Sequence, residues 1–91
     1  MPVNTAWLEV DGARLTPALQ EALEKLDAAG GELILDFSGV QRVDPSALKA
    51  MENLAAAAGD KAVKVGLRGV NIGIYKAMKL AKLAPRFSFL T

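Results

Sequence analysis

Asp44-Pro45-Ser46-Ala47-Leu48 is the stretch of this 91-residue chain whose residue types and spacing carry a chemical possibility. A strand-like apolar run ends at Ser38, and a helix-like run begins at Pro45. Aspartate is a favoured N-cap, because its carboxylate accepts from a first-turn N–H that has no intrahelical partner. Proline suits the first helical position, where its missing N–H costs nothing and its φ is already helical. Ser46 is therefore expected near the helix N-terminus with its hydroxyl exposed. A phosphate added there would meet free backbone N–H groups and the positive end of the helix dipole. It would also meet opposing charge from Asp44 and, at the end of the preceding strand, Asp36. Such a hydroxyl is placed to act as a switch. Asp36, Asp44, Pro45, Ser46 and Lys49 are the candidate partner-contact residues. Taken singly, Asp44 reads most simply as a cap and Asp36 as a solvated carboxylate.

Other chemistries find little to work with. The chain has no Cys, which removes disulfides, thiolate metal sites and thiol nucleophiles. It has no His, which excludes most imidazole catalysis and most zinc sites. Asp36 and Asp44 could pair as carboxylates, but no activated nucleophile, metal set or cofactor motif surrounds them. Gly69-Val70-Asn71-Ile72-Gly73 matches neither a dinucleotide nor a P-loop pattern, and its glycines read as turns. The expectation is a protein that is not an enzyme, holds no metal or cofactor, and works by binding a protein partner.

Charge is unevenly distributed. Residues 1–60 hold four Lys/Arg and ten Asp/Glu, and residues 61–91 hold seven Lys/Arg and no acid, so −6 and +7 give the net +1. Lys76, Lys79 and Lys82 recur along one helical side and read as a solvated face. Aromatics interleaved with the basic residues are absent, which argues against nucleic acid. No apolar run approaches the ~18 residues of a membrane span, and Met1-Pro2-Val3-Asn4 shows no basic-then-apolar leader, so a cytoplasmic location is expected.

The elements that must position the candidate residues follow from periodicity. Apolar residues make up 52% and aromatics 5%, so the core is aliphatic, and a chain this short forms one small domain. Ala6-Trp7-Leu8-Glu9-Val10 reads as a strand closed by Asp11-Gly12, with Trp7 in the core or at an edge. Thr16-Pro17 reads as a cap and first turn, and Leu15, Leu19, Ala22, Leu23 and Leu26 as the inward stripe of a helix ended by Gly30-Gly31. Residues 32–38 form the expected central strand, with Leu33, Leu35 and Phe37 on one face and Ile34 on the other. A second helix is expected from Pro45 to Ala58, with Leu48, Met51, Leu54, Ala55 and Ala58 inward and Gly59 as its stop. Residues 62–68 read as a third strand with Lys64 and Arg68 outward, leaving one sheet face wet. A third helix covers 72–83, with Ile72, Tyr75, Met78, Ala81 and Leu83 inward and Pro85 ending it. Residues 86–90 read as a last strand. The order βαβαβαβ predicts an α/β fold, about four mostly parallel strands with three helices packed on them. Binding sites of such sheets lie beyond the carboxyl ends of the strands, where the loop from Ser38 to Asp44 runs.

At this level the chain resembles the STAS domain family, named for sulfate transporters and anti-sigma factor antagonists. Leu33-Ile34-Leu35-Asp36-Phe37-Ser38-Gly39-Val40, followed by Val43-Asp44-Pro45-Ser46-Ala47-Leu48, is similar to that family's pattern. The pattern is an apolar strand ending in Asp, a small-residue turn, then Asp-Ser-Ser/Thr-Gly/Ala-Leu opening a helix. Val65-Gly66-Leu67-Arg68-Gly69-Val70-Asn71 resembles the last crossover, and the likeness covers about residues 5–90. Pro45 replaces the first Ser of the usual pair, and Ala47 stands where Gly is common. The resemblance implies an anti-sigma factor antagonist of bacterial partner switching, which binds an anti-sigma factor that is also a kinase. Ser46 falls on the phosphorylated hydroxyl, Asp44 on the acidic residue before it, and Asp36 on the one ending the strand. A rival reading is the small STAS subunit of an ABC-type lipid transport system, contacting its ATPase constitutively. A third is a small-ligand sensor domain.

Overall fold

A computed structural model describes residues 5–28 and 30–90. Four strands, β1 (Thr5–Glu9), β2 (Glu32–Asp36), β3 (Lys64–Arg68) and β4 (Ser88–Leu90), alternate with α1 (Leu15–Lys25), α2 (Pro45–Asp60) and α3 (Ile72–Leu80). The strands pair in parallel in the order β1-β2-β3-β4. This is the expected α/β architecture.

The sheet's order decides where the core lies. When each parallel strand is added on the same side of the last, right-handed crossovers send every helix to one face. The buried cluster agrees. It joins Leu33, Leu35, Val65 and Leu67 of the sheet to Leu19 and Ala22 of α1, Met51 and Leu54 of α2, and Ile74 and Met78 of α3. Among the described residues no helix covers the opposite face. Ile34 is buried there but lies outside that cluster. Trp7, 56% exposed on the edge strand β1, carries the Arg68 guanidinium 5.9 Å from its ring centroid. Lys64 and Arg68 are exposed on this face, which is the wet face expected from the alternation of β3.

Four expectations are corrected. The entry to α1 is not capped by Thr16. A 3-10 turn, Gly12–Arg14, precedes the helix, and the Asp11 carboxylate caps that turn by accepting from Ala13 N–H at 2.9 Å. Gly59 does not stop α2, which continues to Asp60 and turns at Ala62 (φ 56°), where Val63 N–H donates to the Ala58 carbonyl at 2.9 Å. Pro85 does not end α3. The helix stops at Leu80 and turns at Lys82 (φ 61°), and Leu83 N–H donates to the Met78 carbonyl at 2.8 Å. Both ends have the left-handed wrap of a Schellman-type terminus without its usual glycine. Finally, the inward stripe of α3 is Ile74 and Met78, while Ile72 is 73% and Tyr75 41% exposed. Smaller shifts occur in the other helices. Leu23 of α1 is exposed, and Ala47 rather than Leu48 leads the buried stripe of α2.

Candidate functional site

The carboxyl ends of β2 and β3 deliver the loops that lead into α2 and α3. These loops are bound tightly together. Phe37 N–H donates to the Arg68 carbonyl at 2.7 Å, and Val40 N–H donates to the Phe37 carbonyl at 2.9 Å. Gly69 has φ 75°, and a Cβ there would fall 2.4 Å from the Ser38 hydroxyl, so only glycine lets the two loops pass. The Asp36 carboxylate accepts from Ser38 N–H at 2.9 Å and so closes the turn out of β2. Hydrogen bonds from the Ser38 hydroxyl and backbone, with a smaller contribution from the Arg68 charge, hold its pKa below the ordinary carboxylate value.

The start of α2 forms as the residue types dictate. Asp44 is extended (φ −99°, ψ 174°), and its carboxylate accepts from Ala47 N–H at 2.7 Å. Pro45 occupies the first helical position, and Leu48 N–H donates to the Asp44 carbonyl at 3.0 Å. Ala47 is fully buried, which fixes the rotation of the helix. Pro45 and Ser46 are turned outward by that rotation, and both are exposed. No hydrogen bond from the Ser46 hydroxyl to another described residue is present. Lys49 is exposed one turn further along, four residues from Pro45 and three from Ser46, on the same helix side.

Asp44, Pro45, Ser46 and Lys49 are therefore one surface. Asp36 stands apart from them. It shares the side of β2 occupied by Ile34, opposite the helical layer, and its carboxylate is engaged with Ser38.

Asn71 is a residue that the periodicity reading passed over. Its side-chain oxygen caps α3 by accepting from Ile74 N–H at 2.8 Å, and its amide donates to the Gln41 carbonyl at 2.9 Å. One side chain thus ties the start of α3 to the loop leading into α2. An Asn directly before an apolar helical run was the available signal. Beside it, exposed Ile72 and Tyr75, with Phe89 and Leu90, line a cleft of about 340 Å³, where the Tyr75 and Phe89 rings meet edge to face at 5.0 Å. A larger cavity, about 740 Å³, opens between the 3-10 turn with the start of α1 and the segment Arg42–Asp44.

The geometry has close counterparts among known proteins. A sulfate transporter family protein from Wolinella succinogenes shares 18% identity at TM-score 0.77, over 98% of this chain and 79% of its own. A proposed anti-sigma factor antagonist from Thermotoga maritima shares 20% identity at TM-score 0.66 in its crystal structure, over 98% of this chain and 74% of its own. Its NMR structure aligns at TM-score 0.77 with 13% identity, over 99% and 76%. At these identities the likeness is one of fold. No curated protein matches the sequence. A family described as "Mlab, STAS domain" matches residues 4–88, nearly the whole chain. Sequence match and shared fold agree, and the protein belongs to the STAS domain family.

Proposed function

We propose that this STAS domain is a partner-switching module of the anti-sigma factor antagonist kind. In this reading the exposed first turn of α2 binds an anti-sigma factor that is also a serine kinase, and phosphorylation of Ser46 breaks the complex. The observation that carries it is Ser46 itself, an exposed and unengaged hydroxyl in the first turn of a capped helix at the sheet's carboxyl edge. Transfer of a phosphoryl group from ATP to Oγ adds about −1.5 to −2 charge at neutral pH. The helix dipole favours that charge, while the Asp44 carboxylate two residues earlier opposes it. A partner surface fitted to a small neutral hydroxyl loses both its fit and its electrostatic match. Asp44, Pro45 and Lys49 frame the hydroxyl and complete the contact. The module acts by binding, in the cytoplasm, and performs no catalysis of its own.

Incubation with the cognate kinase and ATP is expected to add one phosphate to Ser46 by intact mass, to add none to Ser46→Ala, and to release the partner. No phosphate on Ser46 removes the switch.

Pro45 favours a second reading, a STAS subunit bound constitutively to a transporter ATPase. It removes a hydroxyl and an N–H that a switch of this family would present. Ser46→Asp separates the two, abolishing partner binding in the first case and weakening it modestly in the second.

A further inference from the structure

We propose that the cavity between the start of α1 and the end of the β2–α2 loop binds a small organic phosphate, held by Arg14 and Arg42. The cavity measures about 740 Å³, within the ~300–1,000 Å³ usual for small-ligand sites. Its two walls come from different segments, and each carries one arginine, Arg14 in the turn and Arg42 in the loop. Residues 1–60 carry ten acidic side chains and only four basic ones, and two of those four line this one concavity. Neither is spent on an ion pair. Among the described residues the ion pair present joins Lys61 to Asp27. Unpaired guanidiniums are matched in shape and charge to phosphate oxygens, which they can bind two at a time.

The remaining lining narrows the class. The Thr16 hydroxyl adds a donor. The carboxylate of the lining, Asp44, has one oxygen engaged by Ala47 N–H. No aromatic side chain lines the cavity, so nothing is present to stack a nucleobase, and a sugar phosphate or polyol phosphate fits better than a nucleotide. The walls are also held at a set separation. A Cβ on Gly12 would lie 2.6 Å from the Gly39 carbonyl oxygen, so only glycine permits this approach of turn and loop. The location, outside the carboxyl ends of parallel strands, is where ligands enter open α/β sheets. None of this depends on modification of Ser46.

The test is a titration of the isotope-labelled protein with ribose phosphate and with glycerol phosphate at constant ionic strength, followed by amide NMR, with ribose as the uncharged control. Saturating shifts confined to residues 12–16 and 42–44 are expected with at least one phosphate and none with ribose. Arg14→Gln with Arg42→Gln is expected to weaken binding at least tenfold, while Lys76→Gln with Lys79→Gln leaves it unchanged. Arg42→Lys keeps the charge and loses the two-pronged contact, so it provides a milder variant and is expected to weaken binding several-fold. The proposal is overturned by the absence of saturable shifts with both phosphates, by unchanged affinity in the arginine variants, or by an equal loss in the lysine variant.

Discussion

Two helix starts stand side by side at the carboxyl edge of this sheet, and they solve the same problem with different residues. At α2 the cap is Asp44, accepting from Ala47 N–H at 2.7 Å; at α3 it is Asn71, accepting from Ile74 N–H at 2.8 Å. In both, the third helical residue is buried, Ala47 at 0% and Ile74 at 1% exposure. The side chains set outward then diverge. α2 presents Pro45 and Ser46, both exposed and both small. α3 presents Ile72 and Tyr75 over the cleft beside Phe89. The caps diverge too. A carboxylate has no hydrogen to give, so Asp44 serves its own helix alone. The amide of Asn71 has a donor to spare and uses it on the Gln41 carbonyl. The α3 start is a tie within the fold, and the α2 start is the surface that the tie holds in place.

That contrast can be broken most sharply at the third helical position of α3. Ile74→Ala opens a cavity under the helix and is expected to cost about 2–5 kcal/mol in denaturant unfolding. The opposite exchange at Ala47 has no equivalent, since there is no side chain there to remove. Next in size, the caps should not be interchangeable. Asn71→Asp keeps the cap but loses the donor and sets a carboxylate against the Gln41 carbonyl, for an expected loss of about 1–3 kcal/mol. Asp44→Asn keeps every bond that Asp44 makes and should stay within about 0.5 kcal/mol, because the two residues rank alike as caps. Equal effects of the two exchanges in urea melts would refute the distinction.

Asp36 sharpens the comparison through pH. Its pKa is lowered in the folded state, so its contribution is present above the ordinary carboxylate value and is lost as pH falls through the folded-state value. Asp36→Asn should therefore lower stability at neutral pH and converge with the wild type in acid, so that the acid limb of a stability–pH profile becomes shallower. Smallest of all, Ser46→Ala should leave stability within about 0.5 kcal/mol, since the residue is exposed and its hydroxyl forms no hydrogen bond to another described residue. A larger loss would mean that the hydroxyl is structural.

The parts of this molecule that were legible beforehand are those where local chemistry admits one answer. Asp-Pro before an apolar helical run can start a helix in one way, and α2 starts there. Alternation of Val65, Leu67, Lys64 and Arg68 has one reading, and that face is wet. The rotation of α3 was not legible, because apolar residues at 72, 74, 75, 78 and 80 fit two inward stripes in a nine-residue helix. The choice is made by tertiary packing, which takes Ile74 and Met78 into the core and sets Asn71 against the Gln41 carbonyl, thirty residues away in sequence. The entry to α1 was misread for a related reason. Thr16-Pro17 is a sound local start signal, but Asp11 acts first and winds the chain into a 3-10 turn. The cavity with Arg14 and Arg42 was invisible to periodicity, since its walls meet only once Gly12 reaches the Gly39 carbonyl.

Keeping every helix on one side of the sheet also equips the protein with its own optical probe. The chain has a single tryptophan, and it lies on the bare side, under the guanidinium of Arg68. Its emission will register the separation of β1 from β2 and β3 during unfolding, because the Arg68 guanidinium reaches Trp7 across β2. Events confined to the helix starts should leave that signal quiet, so binding and denaturation can be told apart in one cuvette.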